Sequence, residues 1–104
     1  CPAGTHLPKS GDWEKLVSLA SVMELRTYWS GTDKPANNIT GMTILPSGSC
    51  SNNSCTYLDK EAYFWTVNEG SSNSASAYEF MTTNTSKTLL ATKTWFYSVR
   101  CILD

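Results

Sequence analysis

The sequence lacks several features that whole classes of proteins require. It has no excess of positive charge, because eight Lys and Arg residues against nine Asp and Glu residues give a formal net charge of −1. Nucleic-acid binding generally needs a basic surface. No apolar run approaches the roughly 18 residues of a membrane-spanning helix. These absences argue against a nucleic acid as partner and against a membrane span in this chain.

The chain also has a single histidine, His6, and no C-x-x-C pair. A Cys/His zinc site would therefore lack suitably spaced ligands, and any Ser-His-Asp or Cys-His arrangement would have to use His6. His6 lies between Thr5 and Leu7-Pro8, beside the expected helix start, and we expect it to have a structural rather than a catalytic role. The neighbouring carboxylates Asp12 and Glu14 are not expected to be a catalytic pair, because the helix dipole favours negative charge in the first turn of a helix, where we expect them to lie. We therefore expect no enzyme activity, no metal and no cofactor.

The sequence does contain an even set of four cysteines and polar segments rich in Ser, Thr and Asn. This composition is typical of an exported protein whose cysteines form disulfides. A bridge between Cys50 and Cys55 would close the loop CSNNSC, and one between Cys1 and Cys101 would close nearly the whole chain. The alternative for Cys1 is lipid attachment, as in bacterial lipoproteins, which would leave one thiol unpaired. We expect an extracellular or cell-surface protein.

Hydrophobic periodicity predicts one main helix followed by strands. Ser10 is expected as the N-cap, and the helix should end between Ser21 and Glu24. Its apolar face consists of Trp13, Leu16, Val17 and Ala20. Aromatic and β-branched residues predict strands in TGMTILPSG, AYFWTVNE, AYEFMTT, KTLLAT and WFYSVRCIL. This order predicts a single α+β domain over residues 1–104, with the N-terminal helix packed on a mostly antiparallel sheet.

Several sequence blocks resemble, in order, the Fibrobacter succinogenes major paralogous domain: CPAGTHLPKSGDWEKL, GMTILPSG, AYFWTVNE, AYEFM and YSVRCILD. The resemblance implies a fold similar to C-type-lectin-like and sulfatase-modifying-factor-like domains. In that superfamily a cysteine near the helix is bridged to one in the last strand, which implies a Cys1–Cys101 disulfide. Formylglycine-generating relatives use reactive cysteines. Because both motif cysteines here are expected in the bridge, that activity is not expected to carry over.

The resemblance also bears on partners. We expect this chain to lack the strands that family members carry before the Cys-Pro block. A sheet without a neighbouring strand leaves unpaired backbone groups at its edge. The expectation is that the chain is a fragment, or that an upstream segment or another chain supplies the strands. In the last case the expected partners are other copies of the chain or a second chain. This favours a structural subunit or head domain of a surface assembly such as a pilus-like filament.

The alternative expectation is a surface recognition or adhesion module that binds glycan or protein. The calcium-site motifs of C-type lectins, Glu-Pro-Asn, Gln-Pro-Asp and Trp-Asn-Asp, are absent, so sugar binding would rely on aromatic and amide side chains. Residues 68–78 are expected to form a polar, ligand-presenting loop. We expect Trp13, Trp65 and Trp95 in the core. The candidate ligand-binding residues are Tyr28, Trp29, Asn68, Glu69, Asn73 and Tyr78.

Overall fold

A computed structural model describes residues 1–25, 40–81, 83 and 85–104. Its elements are β1 (Thr5–His6), α1 (Ser10–Leu19), α2 (Val22–Leu25), β2 (Ser49–Ser51), β3 (Ser54–Thr56), β4 (Ala62–Glu69), β5 (Ser74–Phe80), β6 (Ser86–Thr92) and β7 (Ile102–Leu103). The strands pair antiparallel as β1 with β7, β2 with β3, and β4-β5-β6 with β5 in the middle. The predicted α+β arrangement, with a main N-terminal helix and antiparallel sheets, is confirmed.

Helix α1 starts one residue earlier than the sequence predicts. Lys9 is the N-cap and Ser10 is already helical, because the side chains of Asp12 and Asn68 accept hydrogen bonds from the Lys9 and Ser10 amides. The Asp12 carboxylate accepts a hydrogen bond from the Lys9 amide at 2.8 Å, as the third residue of a capping box does. The Ser10 amide donates to Asn68 Oδ1 at 2.9 Å, which ties the helix start to the end of β4.

The helix also ends before the predicted range. It stops at Leu19 because Ala20 has an extended backbone, with φ −146° and ψ 145°. A second short helix, α2, follows, and the Ser21 amide before it donates to Glu24 Oε2 at 2.9 Å. No helix among the described residues is both long and apolar enough to cross a bilayer.

The core lies between α1 and one face of the β4-β5-β6 sheet, here called the helix face. The Trp13 ring is 3 % exposed, and its centroid lies 5.0 Å from that of Phe64 and 5.6 Å from that of Phe80. Aromatic rings at such distances add to the free energy gained by burial. The buried cluster consists of Trp13, Val22, Leu25, Ile44, Ala62, Phe64, Tyr78 and Phe80, and the predicted helix residues Leu16, Val17 and Ala20 pack against it.

Some of the strands predicted from the sequence match the observed strands, and others do not. AYFWTVNE forms β4 from its first residue to its last, whereas β5 begins at Ser74 rather than Ala77, because the preceding serines continue the ladder with β6. TGMTILPSG is not a strand. WFYSVRCIL contributes single bridges at Phe96 and Ser98 and the two residues of β7.

Both disulfides are formed. Cys50 and Cys55 are directly opposed across the β2–β3 hairpin, with their Cα atoms 4.0 Å apart. The hairpin turns at Asn52 and Asn53, whose φ values of 49° and 62° are those of a type I′ turn, which asparagine tolerates. The bridge from Cys1 to Cys101 has a Cα separation of 5.7 Å and lies beside the β1–β7 pair.

The two disulfides should differ in their effect on stability. The Cys1–Cys101 bridge spans 100 residues and the Cys50–Cys55 bridge spans 5. Chain entropy gives roughly 4–5 kcal/mol for the long loop and about 2 kcal/mol for the short one. Cys101→Ser should therefore lower the free energy of unfolding in urea more than Cys55→Ser does. Equal losses for the two variants would contradict the assignment of the long bridge as the main covalent constraint.

Gly48 should be intolerant of any side chain. Its φ is +64°, and an added Cβ would meet the Thr56 carbonyl oxygen and lie 2.9 Å from the Leu58 amide nitrogen. Gly48→Ala should destabilise the fold by roughly 1–3 kcal/mol from the backbone conformation alone. The matched control is Gly11→Ala in α1, where an added Cβ has open space and helix propensity favours alanine by about 0.5–1 kcal/mol. Thermal unfolding should shift down for the first variant and not for the second.

Candidate functional site

The candidate residues that the structure describes do not come together in one site. Tyr28 and Trp29 lie outside the described residues. The segment 68–78, expected as a loop, is a β-hairpin made from the end of β4, a short turn and most of β5. The remaining four candidates therefore belong to a hairpin, and each has a different environment.

Two of these residues have structural contacts. Asn68 accepts the hydrogen bond from the Ser10 amide, and Tyr78 is 3 % exposed, with its ring stacked near Trp13 at 5.9 Å between centroids.

Glu69 is exposed and pairs with Lys93 at 2.6 Å. This ammonium lowers the pKa of the Glu69 carboxyl through a hydrogen bond and its charge.

Asn73 lies in the hairpin turn. Its amide donates to Ser71 Oγ at 3.2 Å, and its carbonyl oxygen accepts from the Lys93 amide at 2.8 Å. The whole residue is exposed. Its backbone therefore closes the hairpin while its side chain remains at the surface.

The opposite face of the β4-β5-β6 sheet carries a second layer of aromatic rings. Successive side chains of a strand point to opposite faces, so Tyr63 and Trp65 point away from α1 while Phe64 packs under it. The segment before β7 adds two more rings. Ser98 bridges Phe64, with its amide donating to the Tyr63 carbonyl at 2.9 Å, and this places Tyr97 beside Tyr63. We call the layer the aromatic face; it consists of Tyr57, Tyr63, Trp65, Trp95 and Tyr97.

The five rings form a continuous series of contacts. Tyr97 is the central ring, with its centroid 4.6 Å from Trp65, 5.0 Å from Tyr63 and 6.3 Å from Trp95. Tyr57 extends the series from Tyr63 at 6.5 Å. Tyr63 is buried and Tyr57 is 53 % exposed, and the other three rings are half-buried. The series therefore runs from the sheet surface out to solvent.

Carboxylates lie next to the tyrosine hydroxyls of this face. The Tyr63 hydroxyl donates a hydrogen bond to Glu61, and Glu79, on the same face of β5, is 7 % exposed. Burial, followed by the hydrogen bond to Glu61 and the charge of Glu79, raises the pKa of Tyr63 well above its ordinary value. Burial and Glu79 also raise the pKa of Tyr97. Both hydroxyls therefore stay protonated and remain hydrogen-bond donors at neutral pH.

The charges on this side of the sheet are largely paired. Lys87 Nζ lies 3.6 Å from Glu79 Oε2, and Lys93 Nζ lies 2.6 Å from Glu69 Oε1. The two lysines come from β6 and the residue after it, so they border the aromatic rings on one side. Among the described residues, the surface therefore combines exposed ring area with hydrogen-bonding groups and largely paired charges.

Sequence reasoning missed this face because it assigned Trp65 and Trp95 to the core. Trp13 is in the core as predicted, but Trp65 and Trp95 are half-buried on the other side of the sheet. A signal was present in β4, where bulky aromatic residues occupy both alternating positions. A single main helix covers only one face of a sheet, so the second set of rings had to lie elsewhere.

An open cavity of about 440 Å³ lies between α1 and the C-terminal segment. Its walls are mainly apolar, and its charged side chains are those of Asp12 and Arg100. Asp12 already accepts the Lys9 amide. Because few polar groups converge there to orient a ligand, the cavity is a weaker candidate than the aromatic face. Within the described ranges, no three His, Cys, Asp or Glu residues are grouped so that they could hold a metal ion.

The raised pKa values of Tyr63 and Tyr97 predict a loss of stability at alkaline pH. Above the ordinary tyrosine pKa of about 10, the unfolded chain releases phenolic protons that folded Tyr97 retains, so the free energy of unfolding falls as pH rises. Tyr97→Phe should make this fall shallower. Urea unfolding of both proteins on either side of pH 10 measures the slope, with neutral pH as the check on folding. An unchanged slope in Tyr97→Phe would contradict the raised pKa.

His6 adds a polar contact at the chain ends. Its Nδ1 lies 2.7 Å from Asp104 Oδ1, and its backbone pairs with Ile102 in the β1–β7 ladder. This side-chain contact joins β1 to the residue that follows β7.

Comparison with known proteins agrees with the sequence blocks. No similar curated protein and no similar solved structure was found. The family model of the Fibrobacter succinogenes major domain matches residues 1–103. The matched range includes the Cys-Pro block, β4 and the final strand. The chain therefore belongs to the Fibrobacter succinogenes major domain family.

Proposed function

We propose that this domain is a non-catalytic recognition module that binds neutral glycan on its aromatic face. The observation that carries the proposal is that five rings share the face of the sheet that α1 leaves uncovered. Exposed tyrosine and tryptophan rings are common in recognition surfaces because they bury a large apolar area and also supply polar groups. The rings of Tyr57, Trp65 and Trp95 are the accessible part of this surface.

The chemistry of the face favours a neutral sugar over a charged ligand. A pyranose ring has an apolar C–H face that stacks on aromatic rings and hydroxyl groups that exchange hydrogen bonds with polar neighbours. Glu61 supplies acceptor oxygens, and the protonated hydroxyl of Tyr97 supplies a donor, whereas the Tyr63 hydroxyl already donates to Glu61. Because Glu69 and Glu79 are paired with lysines, the described part of this surface offers little unpaired charge to hold an anionic or cationic ligand.

The proposal places the domain at the cell surface or outside the cell. Disulfides persist in oxidising compartments, and this chain forms two, with no free cysteine among its described residues. A C-type-lectin-like fold is part of the same proposal. It is supported by the helix packed on an antiparallel sheet and by the Cys1–Cys101 bridge, which joins the segment before the helix to the segment before the last strand.

The second candidate function is the structural subunit of a surface assembly, such as a pilus-like filament. The observation that favours it is the outer edge of β6, which pairs with no other strand among the described residues. An open edge of this kind is a template for strand pairing with another chain. The two functions are compatible, because the edge and the aromatic face are different surfaces.

The glycan proposal is tested by substitutions within and outside the aromatic face. Trp95→Ala should weaken binding of neutral oligosaccharides of glucose, mannose, galactose or xylose by about tenfold, equivalent to about 1.4 kcal/mol, because stacked ring area is lost. The matched control is Phe96→Ala. Phe96 is 72 % exposed and lies next to Trp95 in the chain, where its backbone bridges Cys50.

Isothermal titration calorimetry measures both affinities, after a glycan array has selected the sugar. An equal loss for Phe96→Ala would mean that stacking on this face does not mediate binding. An array on which no neutral oligosaccharide binds would reject the proposed ligand class and leave the structural function as the better candidate.

A further inference from the structure

Strand β6 is an edge strand whose sequence and geometry favour pairing with another strand. It is the last strand in the order β4-β5-β6, and it runs for seven residues, from Ser86 to Thr92, with Lys87 as its one charged side chain. Proteins usually protect exposed edges with proline, charged residues, bulges or short strands. β6 has no proline and pairs with β5 without a register shift along its length.

The ladder with β5 fixes which backbone groups of β6 point outward. The Lys93 amide donates to the Asn73 carbonyl at 2.8 Å, and the Met81 amide donates to the Thr85 carbonyl at 2.9 Å. Hydrogen bonding alternates from residue to residue along an antiparallel pair, so the odd-numbered residues of β6 bond to β5. The groups that point outward are therefore those of the even-numbered residues Ser86, Thr88, Leu90 and Thr92.

Most of these outward groups are free within the described residues. Only the Thr92 carbonyl is used, as the acceptor for the Trp95 amide at 3.2 Å. Both backbone groups of Ser86, Thr88 and Leu90 remain for another strand. The Leu90 side chain, 64 % exposed on the helix face, would lose contact with water if a strand were added.

We propose that β6 pairs antiparallel with β6 of a second copy, around a two-fold axis at Leu89. Thr88 then lies opposite Leu90 of the other copy, and Ser86 lies opposite Thr92. The free backbone groups of Thr88 and Leu90 therefore match in full, and the Thr92 amide can donate to the Ser86 carbonyl, while the Thr92 carbonyl keeps its bond from the Trp95 amide. The interface is isologous, which is the commonest form for a homodimer.

Charge and length select this register over its neighbours. With the axis at Leu89, Lys87 lies opposite Ala91 of the second copy. With the axis at Leu90, Lys87 would lie opposite Lys93, and directly opposed like charges destabilise a strand pair. With the axis at Thr88, Thr92 would extend beyond Ser86 of the second copy, which shortens the ladder within β6.

The dimer would join two three-stranded sheets into one sheet of six strands. Because the two Leu89 side chains are directly opposed on the same face, both copies present their aromatic faces on the same side. If the proposed glycan function also holds, the dimer is bivalent and binds a polymeric sugar more tightly than one domain does. The dimer itself does not depend on that function, so a monomer that binds sugar and a dimer that does not are distinguishable outcomes.

Sedimentation velocity of the full chain tests the pairing. We expect a species of twice the 11.5 kDa chain mass whose fraction rises with concentration. Thr88→Pro removes an outward N–H without touching the ladder to β5, and proline is tolerated on an edge strand; this variant should lose the dimer. The matched control Thr88→Ala keeps the N–H and should retain it. A wild type that stays monomeric, or a dimer that survives Thr88→Pro, would overturn the proposal.

Cysteine crosslinking tests the register in case Thr88→Pro does not fold. Opposed residues in a non-hydrogen-bonded pair have Cα atoms about 4.5 Å apart, within the range of a disulfide. Leu89→Cys should therefore give a crosslinked dimer under mild oxidation, and peptide mass mapping should locate the link at position 89. Lys87→Cys should not crosslink, since positions 87 of the two copies lie roughly 13 Å apart along the strand. Equal crosslinking of both variants, or of neither, contradicts the register.

Discussion

The alternation of side chains along β4 is the constraint on which the other features of this structure depend. Ala62 and Phe64 lie on the helix face under Trp13, whereas Tyr63 and Trp65 lie on the opposite face. A slip of one residue would exchange the two sets, removing Phe64 from the core and burying the Tyr63 hydroxyl without its carboxylate neighbours. The register with β5, where Phe64 is opposite Tyr78 and Trp65 is opposite Ala77, therefore fixes the core and the aromatic face together.

The two ends of the chain hold β4 in that arrangement. The Val67 amide donates to the Pro8 carbonyl at 3.0 Å, and Asn68 accepts a hydrogen bond from the first amide of α1. The segment that leads into the helix is therefore attached to one end of β4. Ser98 bonds to the backbone on both sides of Phe64. The Cys1–Cys101 disulfide links the two segments covalently.

The sequence predicted the core side of this arrangement better than the other side. Helical spacing identified the residues of α1 that pack on the sheet, and AYFWTVNE identified β4, because both signals are local. The helix start was misplaced, since its first amide is satisfied by Asn68, more than 50 residues away. The aromatic face was missed for a related reason: Trp95 and Tyr97 reach it through single bridges beside β4, and no local periodicity encodes such a contact.

The most direct test is to follow the tryptophan indole N–H signals by NMR while neutral oligosaccharides are added. The signals of Trp65 and Trp95 should shift in a saturable way, because both rings lie on the aromatic face. The signal of Trp13 should stay fixed, because its ring is enclosed between α1 and the sheet. Shifts at Trp13 without shifts at Trp65 and Trp95 would contradict the account by placing the ligand on the helix side. The absence of any shift would remove glycan binding from the aromatic face.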